Sequence, residues 1–222
     1  MSDTTVLLLR HGEVASHRGD VPVTQDGLLH ARTVGRALAH RFEQPISLLY
    51  GGTRRTRETA EAIAAGIADP ARVHGPLDSF ALRNPDMYAA GTRVNMVSSP
   101  ETLAEQVPGM TTEDAQANPW WTAFFSAPDR IGWWLGQSEP PGETAADLSA
   151  RLTRFVVSIA DPGPFTGRLV VGVTHSPLLR SLLLANTGQD VGEPRYVTGA
   201  HVTVTAERTL HVDAIDLLEP AT

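Results

Sequence analysis

Two histidines and two arginines carry the most reactive chemistry in this chain. His11 follows the apolar run Val6-Leu7-Leu8-Leu9, and His175 follows Leu169-Val170-Val171-Gly172-Val173. A short continuous apolar run reads as a strand buried on both faces. In open parallel sheets ligands bind outside the carboxyl ends of such strands. A single histidine there is most often a hydrogen-bonded structural residue. Two at equivalent strand ends, the first flanked by Arg10 and Gly12, point instead to a shared site. Arg55 lies where a further strand, 46–50, gives way to a helix. Guanidinium groups fork onto phosphate oxygens, and a helix start adds backbone donors, so the set suits a phosphorylated ligand. Arg54 and Arg57 read as surface residues paired with Glu58 and Glu61.

The elements that must position these residues alternate as in an α/β protein. After the first strand, Thr24 can cap a helix whose Leu28, Ala31, Val34 and Leu38 recur on one face to about Phe42. The strand 46–50 precedes Gly51-Gly52 and a helix over 53–68. From about Pro76 to Pro141 the pattern breaks: this stretch is proline-rich, weakly periodic and holds all four tryptophans. It reads as an irregular, partly helical insertion covering one end of the sheet, its tryptophans packing the lid rather than stacking on a substrate. Glu143 or Thr144 opens a helix carrying Leu148, Leu152 and Val156. The strand 169–173, a helix from Pro177 to about Asn186, and a strand pair at 202–204 and 210–214 complete the chain. The expected architecture is a three-layer α/β/α sandwich with a mostly parallel sheet, one domain over 1–222.

Bulk properties exclude several classes. There is no cysteine, which removes disulfides, thiol nucleophiles and Cys-ligated zinc. The net charge of −7, with no lysine anywhere, argues against nucleic-acid and anionic-membrane partners. Neither a signal-peptide pattern nor an 18-residue apolar span is present, so a cytoplasmic location is expected.

In family order, five segments resemble the histidine phosphatase superfamily, in its phosphoglycerate-mutase-like branch. They are Leu9-Arg10-His11-Gly12-Glu13, Thr24-Gln25-Asp26-Gly27, Arg55-Thr56-Arg57-Glu58-Thr59-Ala60, Pro141-Gly142-Glu143-Thr144 and Val173-Thr174-His175-Ser176. The resemblance implies a phosphohistidine intermediate at His11, formed by in-line attack on phosphorus. It implies that Arg10, Arg55 and His175 surround the phosphoryl oxygens, and it requires no metal or other cofactor. Hydrolysis of a small phosphomonoester is the reading favoured, with a mutase-type phosphotransferase or a non-catalytic phospho-ligand binder as alternatives. A homodimer is compatible with the sequence.

Three positions depart from the family pattern. His17 stands where members often have a phosphate-contacting Asn. Gly51 stands where a serine is common, four residues before Arg55. The Glu that usually protonates the leaving oxygen is absent from 76–86, where Asp78 and Asp86 are the carboxyl candidates. Aligning on Leu82 favours Asp86 as the acid, provided burial raises its pKa.

Overall fold

The computed structural model describes residues 3–16 and 19–219, so His17 lies outside the described residues. The chain opens with β1 (Thr4–Arg10), whose last five residues are buried. Helix α1 (Gln25–Arg41) starts where Thr24 accepts the Gly27 amide, as its sequence led one to expect. Strand β2 (Ile46–Tyr50) leads into α2 (Arg54–Gly66), whose first turn is fixed by the Thr53 amide donating to Thr56 Oγ1.

Strand β3 (Val73–Asp78) then joins the sheet beside β2. This corrects the expected insertion boundary, because residues 76–78 belong to the sheet. Gly75 and Pro76 hide the strand in the sequence, but β3 is an edge strand, where a residue without an N–H is tolerated. The insertion follows it: a hairpin of β4 (Met87–Ala89) and β5 (Thr92–Val94), then four short helices. These are α3 (Pro100–Ala104), α4 (Thr112–Ala117), α5 (Pro119–Ser126) and α6 (Arg130–Leu135). Each is started by a side chain, from Ser99, Thr111, Asn118 and Asp129 respectively, accepting a backbone amide.

Thr144 and Asp147 cap one another at the start of α7 (Ala145–Ile159). Strand β6 (Leu169–Thr174) is buried throughout, and α8 (Ser176–Thr187) begins immediately after His175. The hairpin β7 (Gly199–Val204) and β8 (Leu210–Ile215) closes the sheet, giving the order β3-β2-β6-β1-β7-β8. The first four of these run parallel, and β7 is antiparallel to both its neighbours, β1 and β8, a mostly parallel α/β sheet as expected.

Alternate residues of the central strands feed two cores. Leu7, Leu9, Val171 and Val173 face α1 and α2, packing on Val34, Leu38 and Ile63. Val6, Leu8 and Val170 face α7, α8 and the insertion, where Trp121 and Trp134 are fully buried. Burying an aromatic side chain of this size contributes about 3 kcal/mol, which binds the insertion to the sheet as part of one core. Among the described residues no helix is long and apolar enough to cross a membrane.

Candidate active site

The parallel register of β1 and β6 sets the site. Arg10 is opposite Thr174, so the next residues, His11 and His175, leave adjacent strands at the same level. Their rings are edge to face with centroids 5.5 Å apart, and both are buried. His11 Nδ1 lies 2.8 Å from the Gly12 carbonyl, an acceptor, so Nδ1 carries the proton and the lone pair of the neutral ring is on Nε2. Gly12 in turn donates its amide to Thr59 Oγ1 at 2.8 Å, and that hydroxyl donates to the Arg55 carbonyl. One threonine thereby ties the His11 loop to the helix that carries Arg55.

His175 Nε2 faces the Gly51 carbonyl at 3.4 Å and must be its donor, leaving Nδ1 to accept from Arg55 at 3.4 Å. Burial first, then the charges of Arg55 and His11, hold its pKa well below the ordinary histidine value, so the ring is neutral. Arg55 is itself pushed down by burial and by Arg10, with Asp20 opposing. Its Nε, like that of Arg10, is buried without a hydrogen-bond partner. Buried orphan donors are costly, and two guanidinium groups beside two imidazoles form a receptacle for an anion. The remaining nitrogens of Arg10 are occupied: Nη1 donates to the Pro194 carbonyl at 2.6 Å and Nη2 pairs with Glu193 at 2.7 Å. Its plane stacks on Tyr196.

These four residues open into a cavity of about 380 Å³. Its outer wall is mixed: Met96, Val97, Phe124 and Ile131 are apolar, whereas Asp129, Arg130 and Glu193 are charged. No tryptophan is on the wall, in keeping with lid packing. Asp129 caps α6, gives both oxygens to the fully buried Arg180, and has its pKa lowered to about 2, chiefly by those hydrogen bonds.

The two carboxyl candidates for a proton donor are elsewhere. Asp86, expected as the acid, is absent from the cavity wall and is paired with Arg83 and Arg93. Burial acts to raise its pKa, but the two arginines outweigh burial and hold it below the ordinary carboxylate range. It is therefore an ionised anchor for the β4–β5 hairpin, which corrects the expectation. Asp78 accepts the Gly52 amide and also stays off the wall. What reaches the wall instead is Asn84, only 8% exposed. A search for carboxylates passes over it, although it lies two residues beyond the aligned Leu82. The absent serine at 51 has the same origin. A Cβ there would be 2.1 Å from the Leu82 carbonyl oxygen, which also accepts the Thr174 hydroxyl at 2.8 Å. Any side chain at position 51 would push the 82–84 segment off the strand ends.

Comparison with known proteins agrees with this geometry. The sequence matches the histidine phosphatase superfamily (branch 1) over residues 6–82 and 97–211. The chain belongs to that superfamily. All four site residues, Arg10, His11, Arg55 and His175, fall inside the matched segments. A curated relative, the 2,3-bisphosphoglycerate-dependent phosphoglycerate mutase of Rhizobium etli, is 26% identical over 81% of this chain and 78% of its own. Among solved structures, a mycobacterial glucosyl-3-phosphoglycerate phosphatase superposes with a TM-score of 0.61 at 16% identity, covering 96% of this chain and 98% of its own. The phosphoglycerate mutase of Bacillus anthracis str. Sterne gives 0.61 at 14% identity, over 97% and 94%. At these identities the structural likeness speaks for the fold alone. The residues between the matched segments, 83–96, hold Asn84, Asp86 and the β4–β5 hairpin.

Proposed function

We propose that the protein is a phosphomonoesterase that hydrolyses a small phosphorylated metabolite through a phosphohistidine at His11, without a metal. The observation that carries the reading is the pair of buried, unpartnered Nε–H donors of Arg10 and Arg55 beside the His11 and His175 rings. A phosphoryl group seated there meets two guanidinium donors and lies within reach of His11 Nε2. Attack forms the N–P bond and expels the leaving oxygen; water then attacks phosphorus and returns the electron pair to Nε2. Fixed positive charge around the equatorial oxygens is the main catalytic effect, because its donors are already in place and need little reorganisation. His175, neutral and held by Gly51, orients its imidazole against Arg55 rather than adding a second positive charge.

A mutase-type phosphotransferase is the second reading, favoured by the 26% identical relative. The cavity charges favour hydrolysis. A mutase must hold a small, multiply charged substrate, whereas Arg83 and Arg93 are spent on Asp86 and only Arg130 of the insertion's arginines at 83, 93 and 130 reaches the wall. Incubation with 4-nitrophenyl phosphate followed by acid-labile phosphoenzyme trapping tests the chemistry. Trapped phosphohistidine with released nitrophenol supports it, and phosphate binding without either product indicates a non-catalytic binder. Equilibration of 3-phosphoglycerate with its bisphosphate cofactor would instead establish the mutase.

A further inference from the structure

The attack at phosphorus is well supplied in this cavity, but the exit of the leaving group is not. Among the described residues the wall carries two carboxylates, Asp129 and Glu193. Asp129 gives both oxygens to Arg180 and has a pKa lowered to about 2. Glu193 is divided between Arg10 at 2.7 Å and the Ser176 hydroxyl at 2.6 Å. Asp129 is thereby held in its ionised form, and both oxygens of Glu193 are already engaged. Asp86 is ionised and off the wall.

Asn84 is a neutral polar group on the same wall. It is 92% covered by the protein, being 8% exposed, yet its amide makes no hydrogen bond among the described residues. That amide is not sealed off by the protein but lines the cavity, where a ligand can take it up as a partner. Its backbone is not free to turn it elsewhere. The Leu82 carbonyl is held by the Thr174 hydroxyl at 2.8 Å, against a Gly51 that leaves room for it, and the Arg83 carbonyl accepts from Arg151 at 2.7 Å. Thr174 immediately precedes His175, so the segment is fastened to the strand end that forms the phosphate receptacle.

We infer that Asn84 is a catalytic residue that donates a hydrogen bond to the leaving oxygen, and that the natural substrate is an aryl or enol phosphomonoester whose oxygen departs as an anion. The inference rests on the phosphohistidine reading above. The His11 Nε2 lone pair forms the N–P bond while the P–O bond breaks, its electron pair remaining on the leaving oxygen. Asn84 Nδ2–H stabilises that oxyanion without surrendering its proton, since an amide is far too weak an acid. The oxyanion takes a proton from solvent after release. Water then attacks the phosphohistidine, the N–P electron pair returns to Nε2, and phosphate departs. With a donor but no acid, the rate depends steeply on the acidity of the leaving alcohol, so alkyl phosphates such as sugar or glycerol phosphates are poor substrates.

The test compares 4-nitrophenyl, phenyl and glycerol phosphates with the wild type, Asn84→Ala and the isosteric Asn84→Asp, with phosphoenzyme trapping in parallel. The wild type is expected to lose several orders of magnitude in kcat/KM along the series. Removing one oxyanion donor costs about 100-fold, so Asn84→Ala should lose about that factor in kcat on phenyl phosphate and less on the nitrophenyl ester. Asn84→Asp should regain phenyl phosphate turnover at low pH, where its carboxyl is protonated, and lose it as pH rises. A wild type that forms no phosphohistidine sinks the phosphatase reading and this inference together. A wild type that forms it while Asn84→Ala stays within twofold on every ester, or that turns over glycerol phosphate as fast as nitrophenyl phosphate, overturns the inference alone.

Discussion

The Arg10 guanidinium meets the Glu193 carboxylate at 2.7 Å on the rim of the cavity. Nη2 on Glu193 and Nη1 on the Pro194 carbonyl fix the fork of Arg10, while its Nε is buried without a hydrogen-bond partner. Glu193 also accepts from Ser176, the residue after His175, so one side chain joins the two strand ends that carry the histidines. Replacing Glu193 with Ala should release Arg10 and weaken competitive inhibition by vanadate about tenfold, consistent with loss of an aimed charge-assisted bond. Glu193→Gln keeps one oxygen acceptor for Arg10 and can donate its amide to the Ser176 hydroxyl, and should restore most of that affinity. Equal inhibition constants in all three proteins would show that Arg10 needs no such support.

His11→Ala should abolish phosphoenzyme formation and lower kcat for 4-nitrophenyl phosphate by at least about 10⁴-fold. The ring stands against the Gly12 carbonyl and the His175 ring at the edge of the cavity rather than in either apolar core, so the melting temperature should change little. Residual turnover within tenfold of wild type would remove His11 from its role.

Stability should fall on the acid side because of His175. Burial, Arg55 and His11 hold its folded pKa well below 6.5, so between the two values the unfolded chain binds a proton that the native ring refuses. Stability from this group is complete above about pH 6.5 and declines as pH falls, by at most about 1.4 kcal/mol per pH unit. Urea titrations at about pH 7.5 and pH 5 measure the slope. His175→Gln should lose that part of it, and an unchanged slope would mean that other groups govern acid sensitivity.

Arg180 is fully buried on α8 and holds Asp129 at the start of α6 and Asp190 beyond the helix. Burial alone would lower its pKa, but the two carboxylates outweigh burial and raise it. Arg180→Ala leaves those acids uncompensated and should cost about 3 kcal/mol in unfolding free energy. It should also loosen Arg130 and Ile131 on the cavity wall, raising KM. A loss of less than about 1 kcal/mol in denaturant titration would contradict the account.

Gly51→Ser restores the residue common in the superfamily and should harm this member. Its Cβ would sit 2.1 Å from the Leu82 oxygen, so the 82–84 segment must move, at about 1–3 kcal/mol. Turnover of phenyl phosphate should fall with it, because Asn84 moves too. Wild-type stability and turnover in Gly51→Ser would show that the segment has slack.

The parallel strands, the helices that follow them and the four residues of the proposed phosphate receptacle were legible in the amino-acid order. These were legible because local pattern encodes them: apolar runs mark buried strands, and Arg10, His11, Arg55 and His175 sit at the ends of such runs or at a helix start. Strand β3 escaped because Gly75-Pro76 erases the alternation on which a strand is recognised. The leaving-group side was not legible for a further reason. Whether Asp86 is an acid or an anchor depends on Arg83 and Arg93 closing around it, and the role of Asn84 depends on Gly51 admitting the Leu82 carbonyl to the strand end. Those are contacts between segments brought together by packing, and the tertiary structure alone decides which side chains then face the cavity. Residue type and position single out His11 as the proposed nucleophile, whereas the packing of the insertion sets which side chains share its cavity.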